Sequence, residues 1–98
     1  MKLRSYKSDL HQRLQDPEYA AGYLAQTLAL NDTAAFLVAL KDVVEVAGGI
    51  SALSVHSKLT RTSLYKILSE EGNPRLSTLQ EILKPLGFSI SIVLADAA

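Results

Sequence analysis

Apolar residues recur along most of this chain at helical spacing. Phe36, Leu37, Leu40, Val43, Val44 and Ala47 form the clearest stripe, that of a helix with one buried face. Asn31-Asp32 caps that helix at its start and Gly48-Gly49 stops it, because glycine enters the left-handed conformation cheaply. Ahead of it, Tyr19, Ala20, Tyr23, Leu24 and Leu28 predict a helix from Pro17 to about Ala29. Its start has a mechanism: Asp16 can accept from free backbone N–H groups, Pro17 needs no N–H at the first position, and Glu18 suits the positive helix end.

Beyond Gly49 the elements shorten. Ile50 to about His56 turns Leu53 inward, and Thr60 to about Ser69 turns Leu64, Ile67 and Leu68 inward, with about three residues between the two. Gly72-Asn73-Pro74 ends the second of these. Ser77-Thr78-Leu79-Gln80 then reads as a capping box, opening a helix with Leu79, Ile82, Leu83 and Leu86 that Pro85 should stop or kink. The tail changes period from 3.6 to 2. Phe88, Ile90, Ile92 and Leu94 alternate with Ser89, Ser91 and Val93, which predicts a strand over about 88–94. The expected fold class is all-α, with five helices and a short C-terminal β-strand, in one domain over 1–98 whose first thirty or so residues are a helical extension.

A chain of 98 residues can bury a core without covalent staples. The absence of cysteine removes disulfides, thiolate zinc sites and thiol nucleophiles together, and fits a reducing compartment. The basic N-terminus, Met1 to Lys7, leads into Ser8-Asp9 and no apolar run, so a signal peptide and a membrane span are not expected and the cytoplasm is the default location. His11 and His56 lack a third ligand at metal spacing and read as surface histidines. The serines lack a histidine and carboxylate at catalytic spacing, and no glycine-rich phosphate loop follows a strand. No catalytic residue, metal or cofactor is expected, and the chain reads as a binding protein and not an enzyme.

The formal net charge is zero, where nucleic-acid-binding domains usually carry a basic excess. Its distribution changes that picture. From His56 to Lys66 the chain carries Lys58, Arg61 and Lys66 and no acid, whereas Asp9, Asp16, Glu18, Asp32, Asp42 and Glu45 lie in the first half. Two short helices joined by a brief turn, flanked by further helices, is the arrangement of a helix-turn-helix reader whose second helix enters the major groove. With Leu64, Ile67 and Leu68 inward, that helix turns Thr62, Lys66 and Ser69 outward, with Ser63 and Tyr65 flanking and Arg61 in its first turn. Arginine can bond guanine bidentately, threonine can meet a thymine methyl, and lysine and serine can take bases or phosphates. An ordinary solvated helix face would carry the same residue types.

Gly49-Ile50-Ser51-Ala52-Leu53, Leu59 to Lys66, and Gly72 to Leu79 together resemble the Cro/repressor-type (XRE) helix-turn-helix, in the branch of addiction-module antidotes or HigA-type antitoxins. Asp16 to Leu24 and Ala35 to Leu40 are similar to the same branch, so the resemblance covers about Asp9 to Val93. It implies a repressor-like fold, a dimer on double-stranded operator DNA, and a small toxin partner of the ribosome-dependent ribonuclease type. Two positions depart from the pattern. Lys58 replaces a turn glycine, where a left-handed non-glycine residue would cost ~1 kcal/mol. Ser54 replaces a small apolar residue, and its hydroxyl can bond back to the preceding turn.

The DNA-reading candidates are Thr60, Arg61, Thr62, Ser63, Tyr65, Lys66 and Ser69, with Asn73 and Arg75 aimed at phosphate. Tyr19 and Tyr23, four apart on one face, are candidates for the toxin contact, though they can equally pack on the helix bearing Phe36 and Leu40. Phe88, Ile90, Ile92 and Leu94 are candidates for dimerisation, since a lone strand leaves backbone groups unpaired. The function expected is a DNA-binding transcriptional regulator, the antitoxin of a toxin-antitoxin module that represses its own operon. Two alternatives stand beside it: a free-standing repressor with no toxin, and a helical interaction module that has lost DNA binding.

Overall fold

A computed structural model of the chain describes residues 2–69 and 71–96, with side chains from residue 6 onward. Six helices follow one another: α1 Lys2–Arg13, α2 Pro17–Ala29, α3 Thr33–Val46, α4 Gly49–His56, α5 Arg61–Ile67 and α6 Leu76–Leu86. Helix α3 is the centre. It buries Phe36, Leu37, Ala39, Leu40, Val43 and Val44, and packs against α1, α2 and α4, while α4 packs in turn on α5 and α6. Each such Leu or Val taken from water contributes roughly 1.5–3 kcal/mol.

The expected start signals for α2 and α3 are present. Asp16 Oδ1 accepts from the Glu18 N–H at 3.0 Å with Pro17 at the first helical position, and Asp32 Oδ1 accepts from the Ala35 N–H at 3.1 Å. Between α3 and α4 the chain reverses through Gly48, whose φ of 116° a side chain would strain. Helix α6 continues through Pro85 to Leu86 and closes on Gly87.

Three expectations are corrected. Among the described residues the helices number six because α1 precedes the predicted five. Leu14, at the turn after α1, is buried in the core and Leu10 packs beside it, so two leucines one helical turn apart dock an otherwise polar helix. The capping box does not form. Helix α6 starts earlier, with Arg75 as its N-cap and the Arg75 carbonyl accepting from the Leu79 N–H at 3.0 Å, which leaves Ser77 exposed inside the first turn. Nor is there a C-terminal strand among the described residues: the segment after Gly87 has no ladder partner. Phe88 packs on the core, Ile90 sits at its margin, and Ile92 and Leu94 are 96% and 97% exposed. A period of two shows that a segment can pair, but a ladder also needs a neighbour.

Tyr23 ties α2 to α3. Its hydroxyl donates to Asp42 Oδ2 at 3.0 Å. Burial, then this bond, then the charge of Asp42 and the nearby phenols of Tyr6 and Tyr19 push its pKa up to about 12. Because the folded-state pKa lies above the ordinary value of 10, the tie is intact below that pH and is lost as pH rises through about 12. Tyr23→Phe should lower stability by about 1 kcal/mol at neutral pH, the low end for a bond to a charged group because the site is half-exposed. Denaturant titrations of both proteins should converge as pH rises from 10 towards 12, and a constant difference across that window would show that the loss comes from packing.

Candidate nucleic-acid interface

Helices α4 and α5 are held as a pair by the residues they bury. Leu53 anchors α4, Leu64 and Leu68 anchor α5, and Ile50, Leu59 and Ile67 fill the edges between them. Ser54 bonds back as expected, its hydroxyl donating to the Ser51 carbonyl at 2.8 Å. The chain leaves α4 through Ser57 in an extended conformation, φ −124° and ψ 175°. Ser57 Oγ accepts from the Leu59 N–H at 3.2 Å, which shapes the turn from within. Among the described residues only Asn31 has a positive φ without being glycine. The left-handed strain expected at Lys58 is therefore absent, because Ser57 makes the bend without a left-handed residue.

The nine candidate reading residues divide by what their side chains already do. Thr60 caps α5: its Oγ1 accepts from the Ser63 N–H at 3.1 Å and donates to Ser63 Oγ at 3.0 Å. Ser69 donates to the Lys66 carbonyl at 2.7 Å. The Thr60 and Ser69 hydroxyls serve the local backbone, and the Ser63 hydroxyl accepts from Thr60. Arg61, Thr62, Tyr65 and Lys66 are exposed, and among the described residues their side chains take part in no hydrogen bond or ion pair. No acid lies within α5, so its outer face is uniformly basic and polar. Asn73 and Arg75 are exposed on the connection into α6, and the Arg75 side chain makes no capping bond.

The tyrosine pair separates. Tyr19 is exposed, whereas the Tyr23 hydroxyl is committed to Asp42 inside the chain. Of the dimerisation candidates, Phe88 and Ile90 border an apolar groove of about 240 Å³ lined also by Leu28, Leu76, Leu79 and Leu83, and Ile92 and Leu94 extend into solvent.

One grouping was not expected. His11, read as a surface histidine with no third ligand at metal spacing, is half-buried and faces Asp42 and Glu45 on α3. Some thirty residues separate the partners in sequence, and only a helix over Lys2–Arg13 brings them together. The alternation of Leu3, Tyr6, Leu10 and Leu14 was the available signal for that helix. Among the described residues no helix is long and apolar enough to cross a membrane.

Over residues 4–94 the chain matches the family described as "Probable addiction module antidote protein". A relative in Haemophilus influenzae, described as an uncharacterized protein, is 29% identical over 84 residues, which cover 86% of this chain and 86% of the relative. No solved structure matches the chain.

Proposed function

We propose that this chain, which belongs to the family of addiction module antidote proteins, is the antitoxin of a toxin-antitoxin module and also represses its own operon by binding operator DNA. The family supplies the antidote role and with it a toxin partner. The DNA-binding role rests on one observation: α5 follows α4 after a tight turn and presents Arg61, Thr62, Tyr65 and Lys66 outward with no acid among them. Such a helix suits the major groove in the manner of Cro/repressor-type readers. Arg75 and Asn73, just beyond it, suit flanking phosphates. The chain acts by binding and carries out no reaction of its own. The cytoplasm, where DNA and ribosomes lie, is where both roles operate, and a toxin of the ribosome-dependent ribonuclease type follows from the resemblance of the sequence alone.

Two copies act together in this reading. Among the described residues the tail leaves Ile92, Val93 and Leu94 in solvent with no ladder partner, and a second copy supplies the missing neighbour. Two α5 helices then meet half-sites about 34 Å apart, one turn of DNA. Footprinting on the DNA upstream of the gene should show two protected half-sites at that spacing. Truncation after Gly87 should give a monomer by light scattering and abolish the paired footprint. A truncated chain that stays dimeric would remove the tail from the interface.

The net charge of zero favours a second reading, an interaction module that neutralises a toxin without touching DNA. No footprint on the upstream DNA at low salt would establish that reading in place of the first.

A further inference from the structure

The last turn of α1 meets the C-terminal end of α3 through three side chains, one imidazole and two carboxylates. Asp42 and Glu45, three apart, share one face of α3, and His11 reaches them from α1. One potential ligand atom from each of the three lies within 4.8 Å of the other two. Among the described residues His11 Nε2 is sealed from solvent and has no hydrogen-bond partner, and its separation of 3.6 Å from Glu45 Oε2 is too long for a hydrogen bond. A buried ring nitrogen without a partner calls for an ion, a water or a shared proton, and the two carboxylates facing this one suit a cation. Asp42 is already oriented by the Tyr23 hydroxyl on one oxygen, which is how outer-shell donors hold metal-ligating carboxylates.

We propose that His11, Asp42 and Glu45 bind a divalent transition-metal cation of the zinc class, which fastens α1 to α3. One imidazole and two carboxylates suit zinc or its first-row neighbours and not magnesium or calcium, which take all-oxygen sites. Ligand bonds of about 2.0–2.2 Å in a tetrahedral shell put donor atoms roughly 3.4 Å apart. The site therefore closes by ~1 Å on binding, a movement within reach of Glu45, whose side chain is 38% exposed. A water or a partner group completes the shell. The consequence is mechanical. Among the described side chains of α1, Leu10 is packed on the core with Leu14 just beyond the helix end, so a cation held from both helices adds a polar fastening to that apolar one.

The test is zinc binding to the untagged full chain, followed by calorimetry and by the absorption spectrum of cobalt as a probe ion. One zinc per chain is expected, with a raised Tm in zinc and none in magnesium. His11→Ala and Glu45→Gln should each weaken zinc binding by about a hundredfold, and Tyr23→Phe by about tenfold through the freed carboxylate. Each variant's circular dichroism checks that it is folded, and His56→Ala should bind zinc as the unaltered chain does. Absence of zinc uptake, or uptake unaffected by either His11→Ala or Glu45→Gln, would overturn the site and leave His11 as a packing contact between α1 and α3. Neither result bears on DNA binding, so the failure of this proposal and of the operator reading are distinguishable.

Discussion

Replacing Arg61 with alanine is expected to cost about 1–3 kcal/mol of operator affinity, roughly a factor of 5 to 150, and to relax preference at one base pair. Arg61 opens α5, is exposed, and belongs to the set whose side chains are not used within the chain among the described residues. Thr60 and Ser63, on either side, are tied into the cap and fix the helix start from which the guanidinium extends. A phosphate contact behaves differently. Arg75→Ala should weaken binding about equally on operator and unrelated DNA and reduce the salt slope by about 1. Fluorescence anisotropy on both DNAs at several salt concentrations separates the two cases. Unchanged specificity in an Arg61→Ala, Lys66→Ala double variant would show that another surface reads the bases.

Gly72→Ala is expected to lower stability by about 3 kcal/mol, or roughly 10–20 °C in Tm. A sequence reading assigns this glycine to a helix stop, yet its φ is not positive and conformational freedom is not its use. A Cβ built there runs into the Ile67 carbonyl and comes within 3.1 Å of Leu37 Cδ1. The obstacle is backbone, which cannot rotate away. Moving it would displace the end of α5, so operator binding should weaken along with stability. Gly22→Ala is the control. Beyond the local helix backbone and its two chain neighbours, no described atom lies within 4 Å of a Cβ at the exposed Gly22, so helix propensity alone should raise stability by about 0.5–1 kcal/mol. Thermal melts of both variants give the comparison, and an unaltered Tm for Gly72→Ala would refute the close approach.

The readable parts of the sequence were those in which one residue does its work within a few positions of itself. Asp16 and Asp32 cap the helices they precede, the stripe from Phe36 to Val44 is buried along α3, and Ser54 bonds back to Ser51. The outward set on α5 was legible for the same reason, since burying Leu64 and Leu68 sets the rotation of a seven-residue helix. Elements that depend on distant partners were not legible. Helix α1 has few apolar positions and is docked by α3 through residues some thirty places away. The period-two tail describes a strand only if another strand lies beside it. Arg75 displaced the expected Ser77 cap because the chain after Pro74 enters the helix at once, with Arg75 at φ −71° and ψ 157° and no side-chain cap.

The antidote role is tested most directly by growth of cells expressing the small reading frame adjacent to this gene, with and without the chain. Expression of that frame alone should arrest growth, and co-expression of the chain should relieve the arrest and yield a co-purifying complex. The Arg61→Ala, Lys66→Ala double variant should relieve it equally well if, as proposed, α5 reads DNA and does not hold the toxin. A neighbouring product that arrests growth but is neither bound nor relieved by the chain would contradict the account.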